Sequence, residues 1–221
     1  HAKNLVVVIG GRPAPVPFLV EFLQHVSIAK TSMTTIVVTR KNGTVAIGAD
    51  SLTTFGDTRM GDHYKRVHDK ILTVGDSFVA LCGSSAHFVV MENVFAKTDH
   101  IDFSSRAAIY ETFRRLHPLL KEHAFLNPKE DDDDPYESSQ ITALIANETG
   151  IYGVYSYREV FAFERFWAAG SGRNYALGAM FAAHNRARTA EDLARIGVSA
   201  GVEFDKNSGG PVEIHTMRIK K

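Results

Sequence analysis

The stretch TTIVVTRKNGTVAIGAD, Thr34–Asp50, decides the fold. Two runs rich in β-branched and small apolar residues, 35–40 and 44–49, flank a short polar segment that contains Asn42 and Gly43. Asn-Gly between two such runs favours a type I′ turn, because both central residues of that turn take positive φ angles. The stretch therefore predicts a β-hairpin.

The register of this hairpin brings reactive side chains together. If Asn42-Gly43 forms the turn, Lys41 pairs with Thr44, and counting back along both strands places Thr35 opposite Asp50. Directly opposite residues lie about 5 Å apart at Cα. We therefore expect the hydroxyl of Thr34 or Thr35 and the carboxylate of Asp50 to meet at the open end of the hairpin.

Composition excludes several classes of protein. The 221 residues suit one domain, and 25 basic residues balance 25 acidic ones, so the basic excess typical of a duplex-binding protein is absent. Cys82 has no second cysteine to pair with, which fits a reducing compartment. No apolar run approaches the roughly 20 residues of a membrane helix. We predict a cytoplasmic globular protein with neither nucleic acid nor membrane as a partner.

The order of predicted elements indicates an α+β fold. After the first hairpin come a second hairpin, two helices, two segments of strand character, two further helices and a last strand, at residues 70–84, 85–98, 104–126, 141–156, 159–170, 173–186, 189–204 and 211–219. The acidic segment 127–139 is expected to be an exposed loop. Because the order lacks regular βαβ alternation, it favours two antiparallel sheets with helices packed outside.

The glycine pattern in AAGSGRNYALGA (168–179) is similar to a dinucleotide-binding turn but does not predict one. Gly170, Ser171 and Gly172 follow a strand and open a helix, as in a dinucleotide-binding turn. That turn requires a second parallel strand after its helix, whereas the next segment here, TAEDLARIGVSAG, is predicted to be another helix. Dinucleotide binding is therefore not predicted, and Ser171 needs another role.

Four segments together resemble the proteasome β-subunit and HslV peptidase family, and within it the branch of β-proteobacterial proteasome homologues. They are TTIVVTRKNGTVAIGADSLTTFGD (34–57), KILTVGDSFVALCGSSAH (70–87), AAGSGRNYALGA (168–179) and EFDKNSGGPVEI (203–214), in the order of the family. The resemblance implies the four-layer αββα sandwich of N-terminal nucleophile hydrolases. It also implies a threonine-type endopeptidase that cleaves unfolded proteins without a metal or cofactor.

The resemblance implies that Thr34 is the nucleophile and that its own α-amine is the base. An α-amine has a pKa of about 7.7–8.0, so a useful fraction is neutral at working pH. Asp50 and Lys70 correspond to the acidic and basic partners of the threonine. Lys65-Arg66 lies at the spacing of the family's lysine, but Lys70 directly precedes an apolar strand, as that lysine does.

The remaining implied site residues fall into three groups. The residues that bond the amine and hydroxyl are Ser171, Asp205 and Ser208, and the backbone N–H of Gly83 faces the oxyanion. The substrate-binding residues are Thr54, which pairs with an extended substrate, and Thr53, Leu81 and Ser85, which line a first specificity pocket. The small and apolar walls favour uncharged side chains at the cleavage position.

Family members assemble into stacked rings, so the resemblance also implies a homo-oligomeric double ring, heptameric rather than hexameric, with an ATP-dependent unfoldase as a candidate partner. Two other functions remain open from the residues. One is a catalytically silent ring subunit, against which the complete polar set argues. The other is an N-terminal nucleophile amidase that acts on small molecules.

The first 33 residues conflict with this chemistry, because an amide nitrogen has no basic lone pair. The Met33–Thr34 bond must therefore be absent from the active enzyme, which divides the chain into residues 1–33 and a single peptidase domain, 34–221. Family propeptides usually end in Gly, whereas this segment ends in Met33; residues 1–32 contain no methionine. Residues 1–33 are therefore either a propeptide or a mis-annotated extension.

Overall fold

The computed structural model describes residues 8–9, 12–13, 34–66, 70–129 and 133–220. The chain divides into two compact units, His1–Lys30 and Thr31–Lys221. In the first unit, the two-residue strands Val8–Ile9 and Arg12–Pro13 pair antiparallel. The interpretation of residues 1–33 as a propeptide or an extension otherwise lies outside the described residues.

The second unit holds the predicted elements. Its strands are β1 Thr35–Lys41, β2 Thr44–Asp50, β3 Thr53–Phe55, β4 Thr58–Met60, β5 Ile71–Val74, β6 Ser77–Cys82, β7 Thr142–Asn147, β8 Gly150–Val154, β9 Val160–Phe163, β10 Phe166–Gly170 and β11 Val212–Arg218. Its α-helices are α1 Ser85–Lys97, α2 Arg106–Ala124, α3 Arg173–Ala183 and α4 Ala190–Phe204, and a 3-10 turn spans Asp62–Tyr64.

The first hairpin has the predicted turn and register. Asn42 and Gly43 have φ angles of 50° and 73°, as a type I′ turn requires. Lys41 pairs with Thr44, and the pairing continues to Ile36 opposite Ala49. Both expectations are confirmed, and the open end of the hairpin lies where Thr34 and Asp50 meet.

In the described residues of the second unit, the two large sheets are antiparallel. One has the strand order β10-β1-β2-β11 and the other the order β9-β8-β7-β6-β5, with β3 and β4 forming a separate hairpin. Apolar side chains of β1 and β2, such as Ile36 and Ile47, pack against Leu144 and Ile151 of the facing sheet. This layer between the sheets holds the main core.

Helices cover the outer faces of both sheets. Met91 of α1 and Phe113 of α2 pack on Val79 and Ile145 of the sheet that contains β6 and β7. The helices α3 and α4 pack on the outer face of β1 and β2 through residues such as Val198. The four-layer αββα sandwich is thus confirmed.

The short β3–β4 hairpin was not predicted from the sequence. Its two strands span three residues each, which is too short for a period-two pattern to be recognised. This hairpin matters because Thr53 and Thr54 lie on it. The acidic loop is largely exposed where it is described, while residues 130–132 lie outside the described part.

Candidate active site

The open end of the first hairpin brings Thr34 and Asp50 into direct contact. Thr34 Oγ1 donates a hydrogen bond of 2.7 Å to Asp50 Oδ1. Both residues are only 1% exposed. Because Asp50 ends β2 and Thr34 immediately precedes β1, the hairpin register brings both residues to the same end of the hairpin.

Lys70 approaches the same two groups from the other sheet. It directly precedes β5, and its Nζ donates to Thr34 Oγ1 at 2.5 Å and to Asp50 Oδ1 at 2.8 Å. Burial lowers the pKa of Lys70, while the attraction and hydrogen bond of Asp50 oppose that shift. A buried cation therefore lies against a threonine hydroxyl.

Backbone N–H groups hold the carboxylate of Asp50 in place. Thr35 N donates to Oδ1 at 2.9 Å, and Leu52 N and Gly209 N donate to Oδ2 at 3.2 and 3.0 Å. Hydrogen bonds from backbone N–H groups hold a carboxylate in a fixed orientation. Asp50 can therefore orient Lys70 and the Thr34 hydroxyl without moving itself.

A second polar network contacts the nitrogen of Thr34. Thr34 N donates to Ser171 Oγ at 3.2 Å. Ser171 Oγ and Ser208 Oγ both donate to Asp205 Oδ2, at 2.5 and 2.7 Å. The three polar residues predicted from GSG and DKNSGG are thus brought together beside Thr34, although they come from different elements.

Local backbone geometry allows this close approach. Gly170 has a φ of +92°, and a Cβ atom added to it would lie 2.1 Å from the carbonyl oxygen of Thr34. Just beyond it, Gly172 N donates to the same oxygen at 3.3 Å. Glycine at 170 therefore lets the Ser171 turn close around Thr34.

Lys65 and Arg66, the alternative basic pair, take other positions. Lys65 Nζ donates to the carbonyl oxygen of Ser51 and, at 3.0 Å, to Thr53 Oγ1. Arg66 is exposed. The structure therefore places Lys70, and not Lys65 or Arg66, against the Thr34 hydroxyl.

A cavity of about 710 Å³ opens beside these groups. Lys70 lines it, together with the predicted substrate-binding and oxyanion residues Thr53, Thr54, Gly83 and Ser85. Strand β5 and one face of α1 form other walls of the cavity. The cavity can therefore take a substrate side chain that enters beside Thr34.

Leu81 takes a different position from the one expected. It is 1% exposed and belongs to the core between the sheet and α1, together with Val79 and Met91. It is not among the residues that line the cavity. Phe88, which packs on the same core, lines the cavity instead. Strand alternation explains the difference, because Leu81 points with Val79 to the helix-covered face.

The structure adds four features of the site that sequence reasoning did not predict. Thr35 and Gly209 donate backbone N–H groups to Asp50, Lys65 holds the Ser51 carbonyl, and Glu92 of α1 lines the cavity. The signal for Glu92 was its helical spacing from Ser85, seven positions earlier. The other three contacts have no sequence signal, since they are made with or by backbone groups.

Nothing in the described residues suggests a metal site or a membrane span. No group of three or more His, Cys, Asp or Glu side chains there could hold a metal ion. Nor does any helix of the described part have the length and apolar character needed to cross a membrane.

Comparison with known proteins places these features in a family. No family model and no curated protein matches the chain. Among solved structures, BPH (bacterial proteasome homologue) from Thiobacillus denitrificans is 44% identical, with a TM-score of 0.79, covering 85% of this chain and 99% of its own. The structure of that protein in complex with epoxomicin is 41% identical, with a TM-score of 0.80, covering 85% of this chain and 100% of its own.

A more distant structure shares the fold. Eukaryotic HslV from Trypanosoma brucei is 18% identical with a TM-score of 0.62, over 84% of this chain and 99% of its own. The match to the two Thiobacillus structures extends over nearly their whole length. The chain therefore belongs to the proteasome β-subunit and HslV peptidase family.

Proposed function

We propose that this proteasome-type protease subunit is a catalytically active threonine-type endopeptidase with Thr34 as its nucleophile. One observation carries the proposal: a buried threonine hydroxyl lies between a carboxylate, at 2.7 Å, and a lysine ammonium, at 2.5 Å. A silent scaffold has no need to bury these three groups together, since buried charges are costly unless they serve a role.

The chemical step requires a free amino group at Thr34. Once the Met33–Thr34 bond is cut, the neutral α-amine takes the hydroxyl proton, and Oγ1 attacks the carbonyl carbon of the substrate. The peptide C–N bond breaks, the departing amine receives the proton, and water then hydrolyses the ester on Oγ1. The charge of Lys70 favours both the neutral amine and the negative oxygen of the intermediate.

Other groups complete this chemistry. Ser171, held by Asp205 and Ser208, contacts the nitrogen of Thr34 and so orients the base. Gly83 lines the same cavity as Lys70, and its backbone N–H is proposed to face the oxyanion. Such a donor lowers the barrier by about 3–4 kcal/mol.

The substrates are proposed to be extended segments of unfolded proteins. Thr54 lies on the short strand β3 beside the cavity and can pair with a peptide through its backbone. Thr53 and Ser85 line the cavity that takes the first side chain. A double ring of identical subunits in the cytoplasm, seven-fold rather than six-fold, would enclose these sites, with an ATP-dependent unfoldase delivering substrates.

Replacement of the nucleophile tests the proposal. Thr34→Ala should abolish peptide hydrolysis, whereas Thr34→Ser, which keeps a hydroxyl and an amine, should retain part of it. Epoxomicin, which the Thiobacillus protein binds in its structure, should inhibit the parent protein but not Thr34→Ala. A Thr34→Ala variant that cleaves peptides at the parent rate would refute the mechanism.

Sizing separates this proposal from the amidase alternative. A double ring elutes at several hundred kilodaltons, estimated roughly from the 24.4 kDa chain. A small-molecule amidase would elute as a species of a few chains and would not cleave unfolded proteins.

The amino terminus is a further test of the proposal. Intact-mass measurement of the active protein should show a chain that begins at Thr34. Full activity in a protein that still carries residues 1–33 would rule out the α-amine as the base.

A further inference from the structure

Thr35, the residue after the proposed nucleophile, is completely buried and contacts both polar networks of the site. Its backbone N–H donates to Asp50 Oδ1 at 2.9 Å, and its hydroxyl pairs with Ser208 Oγ at 2.7 Å. It does not line the cavity, so it has no route to the substrate. Neither contact of Thr35 is needed by the proposed chemical step itself.

Strand geometry explains how one residue reaches both networks. Successive side chains of a strand point to opposite faces, so Thr34 faces the other sheet while Thr35 faces the α3–α4 layer. The backbone between them is shared. Thr35 therefore connects the Asp50–Lys70 side of β1 with the Asp205–Ser208 side.

The direction of the hydrogen bonds in this second network follows from the proton count. Asp205 is an acceptor when ionised, and the single hydroxyl proton of Ser208 goes to it. The bond between Thr35 and Ser208 must therefore be donated by Thr35. On the other side, Ser171 Oγ lies 2.5 Å from Asp205 Oδ2 and 3.3 Å from the Thr34 carbonyl oxygen. Its one proton goes to the nearer acceptor, Asp205, and Ser171 Oγ accepts from Thr34 N.

Two glycines provide the space for the Thr35 side chain. A Cβ atom at Gly172 would lie 1.9 Å from Thr35 Oγ1, and one at Gly201 would lie 2.3 Å from the same atom. Gly201 lies inside α4, where glycine costs about 1 kcal/mol of stability relative to alanine. Glycine at 201 therefore destabilises α4 but leaves the space that the Thr35 hydroxyl occupies.

We propose that Thr35 is a positioning residue for catalysis, which orients Ser208 and Asp205 and, through Ser171, the nitrogen of Thr34. This inference rests on the proposed function, because it assigns Thr35 to the base of the threonine mechanism. Loss of the Thr35 donor weakens the hydrogen bond from Ser208 to Asp205 Oδ2. Ser171 donates to the same oxygen, so the change at Asp205 also alters the position of Ser171 and its contact with the nitrogen of Thr34.

The test compares three variants of the full chain. Thr35→Val removes the hydroxyl at nearly constant volume, and Thr35→Ser keeps it. The matched control is Thr39→Val, because Thr39 is equally buried on β1 and its hydroxyl donates only to the Ala190 carbonyl, at 2.7 Å. Thr39 lies four residues, or about 13 Å, further along the strand. Rates are divided by the fraction of chains whose amino terminus is Thr34, measured by intact mass.

We expect Thr35→Val to lower kcat about tenfold with KM unchanged, which corresponds to the loss of one buried hydrogen bond. The acidic limb of its pH–rate profile should shift, since that limb reports the Thr34 nitrogen. Thr35→Ser should stay within about threefold of the parent in kcat. Thr39→Val should lower the melting temperature but leave kcat and the pH profile unchanged.

Three outcomes would overturn the inference. The first is a kcat and pH profile in Thr35→Val that match those of the parent. The second is an equal effect of Thr35→Val and Thr39→Val on kcat and on the pH profile. The third is an equal loss of kcat in Thr35→Ser and Thr35→Val. If Thr35→Val does not fold, Thr35→Ala removes the same hydroxyl and is read in the same way. Thr34→Ala distinguishes failure of the proposed function from failure of this inference. If Thr34→Ala is inactive and Thr35→Val is fully active, the nucleophile stands and only the role of Thr35 is refuted.

Discussion

Removal of the Lys70 side chain gives the sharpest test of the site. In Lys70→Ala, Thr34 Oγ1 loses its 2.5 Å donor and the buried Asp50 loses its ion-pair partner. Arg66→Ala is the matched control, because Arg66 is the other residue with a claim to the basic role and is exposed. Lys65→Ala removes the third nearby cation, which holds Ser51 and Thr53 instead.

The size of the effect follows from the geometry. The Lys70 ammonium is 2.8 Å from Asp50 Oδ1 and closer still to the oxygen that attacks. A unit charge at that distance contributes roughly 6 kcal/mol of attraction at an effective dielectric constant of about 20. Truncation of one partner of a buried charge pair costs about 2–5 kcal/mol in practice. The rate should therefore fall between about 30-fold and several thousandfold.

The assay is steady-state hydrolysis of a fluorogenic peptide, normalised to the folded chains that begin at Thr34. The kcat of Lys70→Ala should fall by about 30-fold to several thousandfold, and the kcat of Arg66→Ala should remain within about threefold of the parent value. Lys65→Ala should raise KM more than it lowers kcat, because Lys65 lines the cavity. A large loss in Arg66→Ala with near-parent activity in Lys70→Ala would refute the assignment. The catalytic role would then be unfilled, since arginine does not readily release a proton.

Three further predictions concern pH, the turn at Gly170 and the cavity wall. Burial lowers the pKa of Lys70, so its ammonium deprotonates below the usual 10.5 as pH rises; if the charged form is active, kcat should fall with a midpoint under 10.5, and an undiminished rate at that pH would contradict the role. Gly170→Ala should destabilise the fold by more than about 3 kcal/mol in denaturant titration, because its Cβ would meet the Thr34 carbonyl at 2.1 Å. By contrast Gly178 is at an exposed position of α3, where a Cβ atom would meet nothing within 4 Å, so Gly178→Ala should stabilise the fold; equal effects of the two changes would refute the packing argument. Glu92 lines the cavity and has no ion-pair partner among the described residues. Glu92→Gln should therefore lower kcat/KM about two- to fivefold for peptides with Lys or Arg at the cleavage position and leave kcat/KM for a leucine peptide unchanged. An equal effect on both peptides would exclude a charge contact between Glu92 and the substrate.

The first hairpin shows how far local sequence information reaches. Asn42-Gly43 sets the turn, the period-two pattern sets the register, and together they predict the meeting of Thr34 and Asp50. Each of these features depends on residues within one hairpin. The order of helices and strands likewise predicted the four layers, because an apolar face of each element must be covered.

The cavity wall shows where such information is insufficient. Leu81 was expected to line it, but strand alternation turns the side chain into the core under α1. The resemblance identified the position without its direction, which depends on the register of β6 against its neighbours. Glu92 lines the cavity although the sequence did not predict it. The packing of α1 decides which face of the helix borders β5, and Glu92 lies on that face.

The sequence by itself determined the hairpin, its register, the succession of layers and the segments that carry polar residues, because these depend on interactions between near neighbours. The sequence favoured Lys70 over Arg66, but only the tertiary structure places Lys70 against Thr34 and joins Ser171, Asp205 and Thr35 in one network. The contact between Thr34 and Ser171 spans 137 positions of the chain. Its geometry depends on how two sheets and two helix layers pack against one another, and no local propensity encodes that packing.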